Sequence, residues 1–290
     1  MSQETEFTKK YGEWALVVGA SQGLGAAFAD NCAKRGFNVA ICARRKNKLD
    51  EVAQGLRDRY GVETRQITAD ITKEDCAEQI AVATEDLDIG LLIFNAAVEP
   101  GGPFVQIRLE DHMSNIAGNC VTPTKLTWMI ARKMEAKHRG GIFLVSSMAG
   151  LGGIANWVSY GAGKGYELLL AEGLWYELKK YGIDAAAYVV GTTETPEFKA
   201  TQEKHGTGLT GESDAEALDG KVSIPRTPES VAAALFDQMG DGPRIYSHPD
   251  DEKISAYMMQ MSRAEYVNMM SSTTTTFFLG GRNELLEPIE

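Results

Sequence analysis

Tyr160 and Lys164 lie four residues apart in the stretch SYGAGKGYELLLAEGLWYEL. Downstream of them Leu168, Ala171, Trp175 and Leu178 recur at steps of three and four, which predicts a long helix with one buried face. The phenol and the ammonium then share that face, one turn apart. Ser147 precedes Tyr160 by thirteen residues and follows the apolar run Ile142 to Val145, a buried strand by its length and flanks. A strand end and a helix start can therefore bring a hydroxyl, a phenol and an ammonium together. A free phenol, with a pKa of about 10, is a poor base near neutrality, and a neighbouring ammonium favours its ionised form. A drop of roughly three units corresponds to ~4 kcal/mol and would make Tyr160 a usable proton donor and acceptor. Ser147 would hold the oxygen of a carbonyl or alcohol. Tyr-x-x-x-Lys alone is common by chance, so the trio gains meaning only beside a cofactor site.

The N-terminal part supplies one. Trp14 to Val18 reads as a short buried strand, followed by Gly19-Ala20-Ser21-Gln22-Gly23-Leu24-Gly25 and a helix carrying Leu24, Phe28 and Cys32 at steps of four. Strand, glycine-rich turn and helix N-terminus form a receiver for a pyrophosphate, because glycines let the backbone approach and the helix start offers free N–H groups. The spacing is Gly-x-x-x-Gly-x-Gly, not the commoner Gly-x-Gly-x-x-Gly. The next strand, Asn38 to Cys42, runs into Ala43-Arg44-Arg45. An acidic residue there would take a ribose 2′-hydroxyl; Arg44 instead suits a 2′-phosphate and favours NADP(H), with stacking on adenine in an NAD(H) enzyme left open. A helix from Leu49 to Arg59 leads to the strand Glu63 to Thr68 and to Asp70-Ile71, where Asp70 faces adenine's amino group or caps a helix after Thr72. The strand Gly90 to Phe94 ends at Asn95-Ala96-Ala97, small residues that leave room for the adenosine ribose. The strand Asp184 to Val190 ends at Gly191-Thr192-Thr193-Glu194-Thr195-Pro196, and a last strand spans Arg244 to Ser247. Strands alternating with helices predict a single α/β domain, a Rossmann-type doubly wound parallel sheet with helices on both faces. Gly19, Ala43, Asp70, Asn95 and Ser147 all fall at predicted strand ends, where such sheets bind ligands.

Other features narrow the function class. A net charge of −11 over 290 residues argues against nucleic-acid or anionic-membrane partners. No apolar run approaches the ~20 residues of a membrane span. The first fourteen residues lack the apolar core of a secretory signal, and four scattered cysteines without a Cys-x-x-Cys pair suit a reducing cytoplasm rather than disulfides. Four scattered histidines give no metal-ligand spacing. Residues 1–12 read as a polar extension, frayed or packed on a neighbouring subunit. The main domain then covers 13–250. Residues 192–225 are polar and weakly periodic, which suggests a substrate lid. Thr227-Pro228 starts a helix. In the tail, 251–290, an amphipathic Met-rich helix is expected over Asp251 to Met270, then a low-complexity Ser271 to Thr276 and a peripheral end.

Together these residues resemble the short-chain dehydrogenase/reductase family over nearly the whole chain. The resemblance implies that Asn115, Ser147, Tyr160 and Lys164 are catalytic, with Asn115 holding a water that links Lys164 to solvent. It implies an NAD(P)(H) site made of Gly19, Ser21, Gln22, Gly23, Leu24, Gly25, Arg44, Asp70, Ile71, Asn95, Ala96, Ala97, Tyr160, Lys164, Val190, Gly191, Thr193 and Thr195. Phe94 stands where the family's Asn-Asn-Ala-Gly motif has its first asparagine, and Val190 where a proline is expected. The phrases KYGEWALVVGAS, YGVET, SSMAG, YGAGK and GTTETP look like bacterial hydroxysteroid dehydrogenases. That similarity implies a steroid ketone or alcohol as substrate, with carbon 20 preferred and carbon 7 (7β, on bile acids) next. A 3-oxoacyl or other carbonyl reductase, or a non-catalytic nucleotide sensor on the same fold, are the rivals. Glu99, Ser147, Ile154, Trp157, Tyr160, Thr193 and Phe198 are the expected substrate contacts. Homo-oligomerisation, as a tetramer or dimer, follows from the resemblance alone.

Overall fold

The computed structural model describes residues 5–205 and 223–279. Seven parallel strands form one sheet in the order β3-β2-β1-β4-β5-β6-β7. They are β1 (Trp14–Val18), β2 (Asn38–Ala43), β3 (Thr64–Thr68), β4 (Ile89–Phe94), β5 (Gly140–Ser147), β6 (Ile183–Val190) and β7 (Arg244–Tyr246). Every strand expected from the sequence is present. β5 runs past the apolar stretch Ile142 to Val145 at both ends, because Gly140 through Ser147 pair continuously with Ile183 through Val190.

Strand residues alternate between the two faces. Ala15 and Val17 join Val39, Ile41, Ile93 and Tyr188 under α2 (Gly23–Lys34), α3 (Lys46–Tyr60) and a later helix, Pro228–Asp237. Leu16, Val18, Leu92 and Leu144 lie on the opposite face. There they meet α4 (Cys76–Ala83), α6 (Thr122–Lys137) and α7 (Val158–Leu178). Both faces are thus covered, as a parallel sheet requires. Between α4 and α6 lie α5 (Leu109–Ile116) and a π turn, Ala117–Val121.

The ends of the chain depart from expectation. The extension is not frayed from Thr5 onward: Thr5 forms a capping box with Thr8, and α1 (Glu6–Tyr11) docks on the sheet. Tyr11 is 1% exposed, its hydroxyl donates to Asp184 Oδ2 at 2.8 Å, and its carbonyl accepts from Arg139 at 2.9 Å. Phe7 sits edge-on to Phe37 and Phe236. Two aromatics at i and i+4 give this polar segment one apolar stripe, enough to seat it.

Within 192–225, residues 206–222 lie outside the described part. What is described begins as a helix, α8 (Pro196–His205), and the two ends of the segment meet where Thr193 bridges Arg226. After α9 (Pro228–Asp237) and β7, the expected single tail helix is two: α10 (Pro249–Met258) and α11 (Arg263–Leu279). The break has a local cause. Ser262 N donates to Glu265 at 2.8 Å and Glu265 N to Ser262 Oγ at 3.3 Å, a Ser-x-x-Glu capping box that starts a new helix.

Candidate active site

The strand order reverses direction between β1 and β4, and the residues at the carboxyl ends of these strands meet there. Gly19 N donates to Cys42 O at 2.7 Å, while the Asn95 and Ala96 amides both donate to Val18 O, at 2.9 and 2.8 Å. Asn95 Nδ2 donates to Gly19 O at 3.2 Å and pins the turn. Gly19 has φ +92°, and a Cβ there would sit 2.6 Å from Ala96 N. Gly23, at φ +55°, opens α2. No side chain caps that helix; Gln22 occupies the N-cap position without bonding the turn that follows. The first N–H groups of α2 therefore face the crevice, which is what a pyrophosphate needs. Ser21 Oγ accepts from Arg45 Nη2 at 3.0 Å. Arg44, the arginine singled out in the sequence, is exposed and makes no hydrogen bond or ion pair with another described residue.

Further along, Asp70 does not cap a helix after Thr72. Its Oδ1 closes a turn, accepting from Thr72 N and Oγ1 at 3.0 Å each, and α4 starts only at Cys76. Ile71 is buried and its carbonyl receives the Thr122 hydroxyl at 2.8 Å. Across the crevice Thr195 and Pro196 lie 3.4 Å from the position of a Gly23 Cβ, so the start of α8 covers the glycine turn. Thr195 Oγ1 accepts from Phe198 N at 3.1 Å. The residues fit an NAD(P)(H) molecule: a glycine cradle with no room for side chains, an uncapped helix start and small residues beyond β4.

Ser147, Tyr160 and Lys164 lie close together. Ser147 is the last residue of β5; its Oγ accepts from Ala149 N at 3.2 Å and lies beside the Tyr160 phenol. Tyr160 sits in the first turn of α7, half-buried, with the Lys164 ammonium 6.0 Å from its ring centroid. Lys164, however, is engaged elsewhere. Its Nζ donates to Val145 O and to Glu167 Oε2, both at 2.7 Å, in a site where both side chains are buried. The expected depression of the phenol pKa does not appear in this structure. Burial above all, then the charges of Glu99 and Glu167, push Tyr160 above the usual phenol value, against the opposing effect of the Ser147 hydroxyl.

Asn115 is buried, and its Nδ2 donates to Val98 O at 2.7 Å. Asn119 holds the same residue at both ends, accepting from Val98 N and donating to Val98 O. The amide of Asn115 thus fixes the segment after β4, and the π turn follows at once.

Of the expected substrate contacts, Ile154 is not a wall: it is 3% exposed and packs in the core. Trp157 tilts against Tyr160 with ring centroids 5.5 Å apart. Glu99 is exposed beside Tyr160, Phe198 is half-buried on α8, and Thr193 is buried with its hydroxyl donating to Gly191 O at 3.3 Å. At the end of β6, Val190 is buried and Gly191 N donates to Ser247 Oγ at 3.1 Å.

Two structural features escaped the sequence reading. Asp251, fully buried, accepts from Ser223 Oγ at 2.7 Å and Ser247 Oγ at 2.6 Å and faces Arg226 at 3.6 Å, so it ties the far end of the 192–225 segment to β6 and β7. α11 clamps the loop before Tyr160: Ser271 Oγ receives Ala155 N at 3.0 Å, Thr274 donates to Ala155 O at 2.8 Å and Asn156 donates to Thr275 at 3.3 Å. α11 also packs against α8. The low-complexity segment therefore anchors the loop that leads into Tyr160.

Comparison with known proteins agrees with this geometry. The family model for short chain dehydrogenases matches residues 13–206. A 7β-hydroxysteroid dehydrogenase from Collinsella aerofaciens is 32% identical over 265 residues, covering 91% of this chain and 97% of that protein. One from Mediterraneibacter gnavus is 31% identical, with the same coverage. The solved structure of a 7β-hydroxysteroid dehydrogenase, studied for its stereoselectivity, superimposes with a TM-score of 0.81 at 31% identity, covering 93% of this chain and 99% of that one. A short-chain dehydrogenase from Sphingobium yanoikuyae in complex with NADPH gives 0.69 at 26% identity, over 87% and 97%. Among the described residues no helix is long and apolar enough to cross a membrane, and no His/Cys/Asp/Glu cluster could hold a metal ion. With its glycine cradle, its Ser-Tyr-Lys trio and its end-to-end relatives, the chain belongs to the short chain dehydrogenase family, as an NAD(P)-dependent oxidoreductase acting on CH–OH groups.

Proposed function

We propose that the chain interconverts a ketone and a 7β-hydroxyl on a steroid of the bile-acid type. The observation that carries this is the extent of the match to the 7β-hydroxysteroid dehydrogenases. At 265 residues, 91% of the chain, it cannot fit within 13–206 and so runs on well beyond the family-model region. The carbon 20 preference read from short sequence phrases gives way for the same reason, and the carbon 7 alternative takes its place. The relatives named very-long-chain 3-oxoacyl-CoA reductase support a rival acyl substrate less well: one from Anas platyrhynchos covers only 59% of this chain and 57% of its own length.

Each side chain has a part in that reaction. When bound, the nicotinamide supplies or takes the hydride. Tyr160 gives its proton to the substrate oxygen in reduction and takes one in oxidation. Ser147, beside that phenol, orients the same oxygen. Lys164 supplies positive charge below Tyr160 and has one N–H left, beyond Val145 and Glu167, for the nicotinamide ribose. Asn115 and Asn119 hold Val98, and with it the floor of the crevice. A water on Asn115 linking Lys164 to solvent completes the proton path. Arg44, exposed at the end of β2, would meet a 2′-phosphate, which favours NADP(H). Leu109, Met113 and Ile116 on α5, with Leu169 and Tyr176 on α7, leave an exposed apolar surface that supports self-association.

The test is product identification. The purified protein is incubated with 7-oxo and 12-oxo bile acids, cortisol and a 3-oxoacyl ester, each with NADPH and NADH. A 7β-hydroxy product supports the proposal; turnover confined to the acyl ester removes the steroid.

A further inference from the structure

Glu167 is a carboxylate with no place in the reaction as described, yet it is fully buried against the catalytic helix's own lysine. One oxygen accepts from Lys164 Nζ at 2.7 Å. The other, Oε1, is buried with no hydrogen-bond partner. A carboxylate in that condition is costly unless its partner needs it. The helical steps Tyr160, Lys164, Glu167 and Ala171 run down one face of α7, so the glutamate lies directly beneath the lysine.

We propose that Glu167 is a positioning residue for the reaction: it holds the Lys164 ammonium at Val145 O and cancels part of the positive charge that Lys164 presents to Tyr160. The inference rests on the reading of Tyr160 as the proton-transfer residue. Ammonium and carboxylate together are nearly neutral when seen from the phenol, and the Glu167 charge adds to burial and Glu99 in holding the Tyr160 phenol up. Burial first, against the opposing charge and hydrogen bond of Lys164, pushes the Glu167 carboxyl up to about 7. Near neutrality the pair can therefore gain or lose its negative member, and the charge felt by Tyr160 changes with it. The other groups around it are few. Cys120, on the π turn, is pushed up by burial and then by Glu167. β5 contributes the Val145 carbonyl to the ammonium and the Ser146 hydroxyl to the Lys164 backbone carbonyl, and Glu99, after β4, faces Tyr160.

The test is the pH dependence of kcat/KM for alcohol oxidation in wild type, Glu167→Gln, Glu167→Asp and Tyr160→Phe, with cofactor affinity measured by fluorescence titration. Glutamine keeps an acceptor for Lys164 and removes the charge. The limb that reports loss of the Tyr160 proton should move to lower pH by about one unit. Glu167→Asp, which keeps the charge, should leave the limb near its wild-type position. A purely structural glutamate would lower activity at all pH values and leave the limb in place. If Glu167→Gln binds cofactor normally and its limb coincides with wild type, the inference is wrong. If Glu167→Gln does not fold, Glu167→Met, which also removes the charge, takes its place: a limb moved to lower pH sustains the inference, and a limb that coincides with wild type overturns it. Wild-type turnover in Tyr160→Phe would instead sink the underlying reading of Tyr160, a result distinct from either.

Discussion

Gly25→Ala should separate the cofactor cradle from mere turn geometry. A Cβ on residue 25 would lie 1.9 Å from Gly19 O and 2.8 Å from Asn95 Nδ2, where ordinary contacts start at 3.4 Å. The turn would have to open by about 1.5 Å, the difference between 3.4 and 1.9 Å. Over-packing of this kind costs ~1–3 kcal/mol, and loss of the Asn95–Gly19 bond adds ~1 kcal/mol. The larger effect falls on binding. A displacement of the order of 1 Å in a positioning element can cost roughly 100-fold. Isothermal titration with NADPH should show cofactor affinity weakened by about that factor, with a lower urea midpoint. Gly173→Ala is the control, because nothing lies within 4 Å of its Cβ on the exposed side of α7. There the same substitution should stabilise by ~0.5–1 kcal/mol. A Gly25→Ala protein with wild-type cofactor affinity would refute the placement of the pyrophosphate at this turn.

Three further outcomes are expected. Arg44→Ala should raise the KM for NADPH by roughly 10-fold or more while leaving that for NADH within about twofold, as loss of one charge-assisted phosphate contact implies; steady-state kinetics with both cofactors checks it. Asp88→Asn should cost ~1–2 kcal/mol at pH 7, read by urea unfolding. Burial raises the Asp88 carboxyl, but bonds from Lys137 and Arg139 outweigh it and hold the folded value below the ordinary 3.8. Its contribution is therefore present above that pH and lost as pH falls through the folded value, so variant and wild type should converge in acid. Thr274→Val removes the donor to Ala155 O and should raise the steroid KM several-fold with little change in cofactor affinity, about 1 kcal/mol of loop anchoring being lost.

The sheet and the cradle were legible because they rest on local signals. Short apolar runs ended at Gly19, Asn95, Ser147 and Gly191, and the structure places those residues at strand ends as read. The placement of Tyr160 and Lys164 one turn apart on one helix followed from their spacing. What stayed hidden depends on which side of a helix is buried or on contacts distant in sequence. Glu167 lies on the same stripe as Lys164 and Ala171, so its burial could have been inferred, but the bond from Lys164 to the Val145 carbonyl could not. The α10–α11 break carried a sequence sign in Ser262 and Glu265, masked by a methionine pattern that read as one helix. Ser271 to Thr276 looked like a featureless tail because its bonds reach back to Ala155 and Asn156, more than a hundred residues earlier. Asp70 was read as facing adenine's amino group or capping a helix after Thr72, and its carboxylate closes a turn of its own.

The most direct measurement is the reduction of a 7-oxo bile acid with NADPH by wild type and by Tyr160→Phe, with the product's C7 configuration assigned by chromatography and mass spectrometry. The wild type should yield the 7β-alcohol. Tyr160→Phe should bind NADPH normally and yield none, because the substrate oxygen would have no proton donor. A 7-oxo bile acid left unchanged by active wild-type enzyme, or turned over equally by both proteins, would contradict the account.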